Sequence, residues 1–341
     1  MRTRALRSDN AAGICPEALA ALIDANTGHT GSYGEDPWTA RATELVRELV
    51  DAPDAAVFFL LTGTAANALA LAALAPPHGI VGVSPAAHVL TDECGAPGFF
   101  NQGLQLRPLA VAHGKIDPRA LAPWVSACDV HVGKPAALSL SQATELGTVY
   151  SLAELRALRD AARGLGLKVH VDGARLANAS AALGITPGEV ARAAGADALV
   201  VGGTKNGMPG SEALVIFDPS SAEDFEYRRK QAGQLASKHR FLTAPWIGML
   251  ESGAWMRHAA HANAMAHALA AGAARLGHTP VHDCQANEVF LALDAKRAGS
   301  LATMGWPLYQ EEVWQGFRAV CSWDTTEEDV IAFLRDLERC S

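Results

Sequence analysis

The sequence predicts an α/β protein: a large domain on a mostly parallel central sheet, followed by a smaller α+β C-terminal lobe. Three observations carry that expectation. Short apolar runs alternate with helical segments up to residue 245, the rhythm of parallel strands joined by crossover helices. From Trp246 the character changes to a long alanine- and histidine-rich segment, then short strands and a closing helix. The 341 residues are 49% hydrophobic and 19% charged, enough apolar material for a large core and a broad subunit interface. The expected domains are therefore 1–245 and 246–341.

Taken in order, Pro16–Ala25 reads as a helix with proline near its first turn, and Thr39–Leu49 as a second. Ala56–Leu61 (AVFFLL) reads as a strand, and Thr62-Gly-Thr-Ala-Ala-Asn67 starts a helix rich in alanine and leucine. Strands are expected at Gly79–Val83 and Ala136–Leu140, a helix at Leu152–Leu165, and strands at Lys168–Val171 and Ala198–Gly202. Ala213–Phe217 follows closely enough to be a hairpin partner of the last of these. In the C-terminal lobe one helix is expected over Leu250–Leu276, with strands near Glu288–Leu293 and Gly316–Ser322 and a helix over Glu327–Arg339.

A formal net charge of −8 argues against nucleic acid or an anionic membrane as partner, since both reward positive charge. The opening MRTRALRSDN has no apolar stretch behind it, so it is not read as a secretory signal. Apolar runs such as Ala55–Leu61 are too short to cross a bilayer. Cys15, Cys94, Cys128, Cys284, Cys321 and Cys340 are scattered without a C-x-x-C pair. They read as free thiols of a soluble cytoplasmic protein.

Three segments carry chemistry, each at a strand end, where open α/β sheets bind ligands. Thr62–Asn67 offers backbone N–H groups and a hydroxyl at a helix start, suited to a phosphate, although an ordinary N-cap has the same signature. HVDGAR (His170–Arg175) puts a carboxylate and a guanidinium at the sheet's carboxyl edge. Asp172 there could hold a pyridine nitrogen protonated, or form a structural pair with Arg175. VVGGTKNGMPG (Val200–Gly210) holds Lys205 among glycines, which are costly unless backbone must approach a ligand. Such a lysine can become a Schiff-base nucleophile. A Walker phosphate loop is excluded because its spacing is absent, and a dinucleotide-binding dehydrogenase because no G-x-G-x-x-G turn follows the first strand.

The order and spacing of these segments, with Asp172 and Lys205 lying 205 − 172 = 33 positions apart, are more specific than any one alone. With Ser8-Asp9-Asn10, SYGEDPWTA (Ser32–Ala40), AAHVLTDECGAP (Ala86–Pro97), SQATELGTVY (Ser141–Tyr150), the stretch Lys230–Trp246 and FRAVCSWDT (Phe317–Thr325), the sequence resembles the fold-type-I pyridoxal-phosphate enzymes, and within them the low-specificity L-threonine aldolases. The resemblance spans essentially the whole chain. It implies retro-aldol cleavage of L-threonine, L-allo-threonine and related β-hydroxy-α-amino acids to glycine and an aldehyde. The alternatives are a phenylserine-preferring aldolase, another fold-type-I lyase working by β-elimination, or an aminotransferase.

Residue by residue, the resemblance implies that Lys205 forms the Schiff base with pyridoxal 5′-phosphate, Asp172 pairs with the pyridine nitrogen and Arg175 lies near the phenolic oxygen. Gly63, Thr64 and Thr204 would contact the phosphate, and His88 would stack on the ring. Ser8 and Arg318 would grip the substrate carboxylate, while Tyr33 and His131 would line the β-hydroxyl side. His131 is expected to follow an apolar run and to act as base there, with Asp92 as the rival. The family pattern further implies a homodimer or homotetramer with shared active sites. The basic residue reaching a neighbouring phosphate is left open among Lys230, Lys238 and Arg240, and the GGTKNG loop departs from the S-K-G-L-G of some relatives.

Other candidates read as structural. His258, His261 and His267 are taken as solvated or interface histidines of a long helix rather than metal ligands. Trp246, Trp255, Trp306, Trp314 and Trp323 are taken as core or subunit contacts, and Glu311 and Glu312 as a solvated pair.

Overall fold

The computed structural model describes residues 6–311 and 315–340; Glu312 and Trp314, and the side chain of Glu311, lie outside the described set. The main sheet has seven strands: β1 (Ala56–Leu60), β2 (Gly79–Val83), β3 (Gln105–Pro108), β4 (Lys134–Ser141), β5 (Lys168–Gly173), β6 (Ala198–Gly202) and β7 (Glu212–Ile216). Their spatial order is β1-β7-β6-β5-β4-β2-β3. Within it β7 alone runs antiparallel to its two neighbours, making the hairpin with β6 that the short spacing predicts.

The central strands are apolar on both faces because helices cover both. Leu199 and Val201 of β6 enter the larger core with Val169, Val171, Leu176 and Trp246. Ala198 and Val200 face a second layer with Leu69, Leu214 and Ile216. This alternation is the two-residue period of a strand buried on both sides.

The expected elements recur with local shifts whose causes are visible. The helix predicted at Thr39 begins at Pro37, because Asp36 caps it through the Thr39 N–H at 2.8 Å. β1 stops at Leu60, since the Leu61 N–H turns to the Gln234 side chain at 3.0 Å. The single helix expected over Leu250–Leu276 is two helices, Arg240–Glu251 and Ala254–Arg275. Gly253 between them takes a left-handed φ of 70°, which breaks the helical run. Helices at Leu176–Leu183 and Pro187–Ala194 were not expected, although Thr186 and Glu189 form a capping box that T-x-x-E spells out.

The expected boundary at 245/246 falls inside helix Arg240–Glu251, whose Leu242, Trp246 and Met249 all pack into the large core. The change of core occurs along helix Ala254–Arg275. Its Ala254, Trp255 and Ala259 belong to the large core, and its Met265, Ala266, Leu269 and Ala273 to the small one. The small core also contains a three-stranded sheet of β8 (Glu288–Leu291), β9 (Tyr309–Glu311) and β10 (Gly316–Val320), in the order β8-β10-β9. The N-terminal segment crosses to this lobe: Leu6 enters the small core and its carbonyl accepts the Val320 N–H at 2.8 Å. That crossing carries Ser8 and Asp9 next to the ends of the main sheet. Among the described residues no helix is long and apolar enough to cross a membrane.

Candidate active site

β4, β5 and β6 end together at one edge: Ser141 pairs with Asp172, and Asp172 with Val200 two residues before β6 ends. Over that carboxyl edge opens a cavity of about 580 Å³, lined by Ser8, His88, Asp172, Arg175, Lys205 and Arg318 among others. Six predicted residues from five separate segments thus meet on one cavity, at the place open α/β sheets reserve for ligands.

Lys205 lies on the single 3-10 turn Thr204–Asn206 that follows β6. The glycines before it have a cause other than approach to a ligand. A Cβ on Gly202 would lie 2.3 Å from the Ala174 carbonyl oxygen, and one on Gly203 would lie 2.4 Å from that of Ser211. The loop is pressed against neighbouring backbone, and that packing aims the lysine. Thr204 does not line the cavity. Its hydroxyl accepts the Ser211 N–H at 3.1 Å and is hydrogen-bonded to Glu212, whose buried carboxyl is pushed up to about 7.

Asp172 is buried at the end of β5. It accepts hydrogen bonds from Asn67 Nδ2 at 2.8 Å and from the Ala174 N–H at 2.9 Å. Burial alone would raise its pKa. His88, the Ala174 N–H and Lys205 outweigh burial and hold it below the ordinary aspartate range, so it stays ionised. The sequence left open an Asp172–Arg175 pair. Arg175 instead grips Asp9, with Glu288 at 3.4 Å, and leaves Asp172 to face the cavity.

His88 opens the short helix His88–Thr91, and its Nδ1 lies 2.9 Å from Glu93 Oε1. The Glu93 hydrogen bond raises the imidazole pKa against the opposing effect of burial. Arg318 on β10 reaches Glu288 at 3.3 Å, and Ser8 caps the turn Asp9–Ala11 through the Asn10 N–H at 3.2 Å. Asp92 also lines the cavity, exposed and accepting the Thr91 hydroxyl at 2.6 Å.

Other expected residues are not brought to this cavity by their own chain. His131 does not follow an apolar run: it precedes β4, in an exposed turn where its N–H bonds Asp129 at 2.9 Å. β4 has eight residues, so His131 lies at the opposite edge of the sheet, about 25 Å along the strand from Ser141. Tyr33 is 47% exposed, with Lys230 Nζ 4.7 Å above its ring. Gly63 and Thr64 lie in the first turn of helix Gly63–Leu74, capped by Thr62, and are partly exposed outside the cavity. Lys230 and Lys238 are exposed, while Arg240 donates to the Thr27 carbonyl at 3.0 Å.

Three carboxylates are not legible in the sequence: Glu145, which lines the cavity, and Glu93 and Glu288 behind it. Glu93 and Glu288 are buried, and Glu145 holds the Ser141 hydroxyl at 2.5 Å and the His88 N–H at 3.0 Å. Burial first, with repulsion from Asp172, pushes the Glu145 carboxyl up to about 7. An acidic residue in a polar stretch carries no sign that it will be buried; only the fold supplies that. Among the reserve candidates, His258 pairs with Glu17 at 2.9 Å and His261 with the Thr325 carbonyl at 2.6 Å, so the two do not converge. Cys15, Glu17 and His258 do cluster within 4.8 Å, but Arg257 holds the same carboxylate at 3.0 Å, an arrangement that already balances the charge. Trp246, Trp255 and Trp306 are fully buried.

The fold and the site define a lyase of the β-eliminating lyase family, to which the chain belongs through the match of residues 5–296 to that family's model. Within it the chain is 48% identical over 337 residues to the low specificity L-threonine aldolase of Pseudomonas aeruginosa, covering 98% of this chain and 97% of that one. A Pseudomonas sp. protein of the same description is 48% identical over 332 residues, 97% of this chain and 96% of its own. In three dimensions the chain matches Leishmania major threonine aldolase with a TM-score of 0.91 at 27% identity over 98% of both chains.

Proposed function

We propose that this chain is a pyridoxal-phosphate-dependent aldolase that cleaves L-threonine, L-allo-threonine and related β-hydroxy-α-amino acids to glycine and an aldehyde. The observation that carries the reading is the meeting of Lys205 and Asp172 on one cavity with Arg318 and Ser8, in a chain so similar to L-threonine aldolases.

The residues present fit the cofactor. A buried, ionised Asp172 suits a protonated ring nitrogen, and Lys205 supplies an amine in the same cavity. The leading N–H groups of helix Gly63–Leu74 have no partners inside the helix and suit a phosphate. Pyridoxal phosphate, when bound, supplies the electron sink for the bond broken at Cα.

The chain's own residues select that bond. Arg318, oriented from behind by Glu288, and Ser8 would hold the substrate carboxylate, which fixes the rotation about Cα. A guanidinium suits this because it offers two parallel donors to a carboxylate. As the Cα–Cβ bond breaks, the β-hydroxyl must give up its proton. Asp92 lines the cavity for that task, and His131 with Tyr33 would serve it from a neighbouring subunit.

That division of labour supports an oligomer with shared sites, a dimer or tetramer. Tyr33, His131 and the helix start at Gly63 are partly or fully exposed in the single chain. The cytoplasmic placement is supported by six unpaired cysteines. The test is a product assay with L-threonine and added cofactor. Glycine and acetaldehyde in equal amounts are expected; 2-oxobutanoate and ammonia would mean β-elimination instead.

A further inference from the structure

The wall of the cavity carries a hydrogen-bonded chain that no step above uses. His88 Nδ1 lies 2.9 Å from Glu93 Oε1, Asn67 Nδ2 donates to that same oxygen at 2.9 Å, and it also donates to Asp172 Oδ2 at 2.8 Å. Glu93 and Asn67 are both buried, and neither lines the cavity. One amide thus ties the carboxylate that holds the imidazole to the carboxylate on the cavity floor.

We propose that Glu93, braced by Asn67, is a positioning residue that fixes the orientation and the proton of His88 and couples both to Asp172. This rests on the reading that His88 and Asp172 both contact the cofactor. The Asn67 side chain spends both N–H bonds on carboxylates, and it lies on helix Gly63–Leu74, whose burial leaves the amide little freedom. Glu93 has its Oε1 committed twice, while its Oε2 is buried without a hydrogen-bond partner. A buried carboxylate so placed is costly unless a cation stands next to it: burial pushes the Glu93 carboxyl above its ordinary range, and a protonated His88 at 2.9 Å is the cation that opposes this. The charged and titratable groups around His88 are Glu93, Asp172 and Lys205, with Glu145 holding its backbone N–H. Glu93 and Asp172 favour the charged ring and Lys205 opposes it; the net direction is upward. When Glu93 holds Nδ1, Nε2 is the ring nitrogen left for other partners.

The test is histidine NMR on the holoenzyme and on the cofactor-free protein, with the His88 resonance identified by its loss in His88→Asn. Glu93→Gln keeps size and removes charge. It is expected to weaken proton binding by His88 about tenfold, to lower kcat with little change in KM, and to move the pH profile of kcat with it. Glu93→Asp is expected to restore part of the shift. Asn67→Ala is expected to change the pH dependence of the bound cofactor's absorbance, because Asp172 loses a donor. Should Glu93→Gln not fold, carbon-labelled glutamate in His88→Asn reports the same coupling, through a rise in the Glu93 titration point. A His88 titration unmoved in folded Glu93→Gln overturns the proposal, as does an unmoved Glu93 titration in His88→Asn. The cofactor-free titration reads the coupling even if no cofactor binds, so failure of the aldolase reading and failure of this one are distinguishable.

Discussion

The guanidinium of Arg175 holds the carboxylate of Asp9 through two parallel hydrogen bonds, Nε to Oδ2 at 2.8 Å and Nη2 to Oδ1 at 3.0 Å. Both groups are buried, and Asn287 donates to Asp9 at 3.1 Å. The pair pins the N-terminal segment, with Ser8, to the turn after β5. Asp9→Asn leaves a buried guanidinium with Glu288 as its remaining carboxylate, and losing one partner of such a pair costs about 3 kcal/mol. Denaturant unfolding checks this; a loss under about 1 kcal/mol would mean the pair is dispensable.

Asp172→Ala removes the ionised carboxylate from the cavity floor. Turnover is expected to fall roughly 10²-fold or more, in the range found for single preorganised electrostatic groups. The melting temperature should change little, because Asn67 can still serve Glu93. Near-normal turnover at saturating cofactor would count decisively against a role for this residue on the ring nitrogen.

The shared sites proposed above are open to a complementation test. Lys205→Ala and His131→Asn are each expected to be nearly inactive. Mixed and allowed to exchange subunits, they should regain activity, because some sites then combine a native Lys205 with a native His131. No gain above the sum of the separate variants would return the base to the chain's own Asp92. Asp92→Asn would then lose the rate and the pH profile that His131→Asn keeps.

The Glu145 carboxyl titrates at about 7 in the folded chain, against 4.5 for an ordinary glutamate. The folded state therefore binds this proton more tightly than the unfolded state. The stability it contributes is complete below about pH 4.5 and is lost as pH rises through 7. Glu145→Gln should flatten the fall in stability across that window and make the protein more stable than the parent at pH 8. Glu212, also at about 7, keeps part of the slope in both proteins. An unchanged slope in thermal melts would show that Glu145 does not titrate there.

What was legible in the sequence followed from local rules. Pro16–Ala25, Gly79–Val83, Ala198–Gly202 and Glu327–Arg339 fall where the pattern of apolar, capping and breaking residues puts them. Lys205 and Asp172 stand out in the sequence because each follows an apolar run beside glycine, and the fold brings both to one cavity. His131 precedes its strand instead of following an apolar run, because proximity to such a run does not say which end of the strand a residue occupies. Glu93, Glu145 and Glu288 were invisible because a buried carboxylate differs from a surface one only by what packs around it.

Lys205 is proposed as the amine that binds pyridoxal phosphate covalently in this aldolase. Reduction of the cofactor-loaded protein with borohydride, followed by peptide mapping, tests it most directly. One modified lysine per chain, Lys205, is expected, together with loss of threonine cleavage and of visible absorbance in Lys205→Ala. Modification at another lysine, or a Lys205→Ala variant that keeps both absorbance and cleavage, would contradict it.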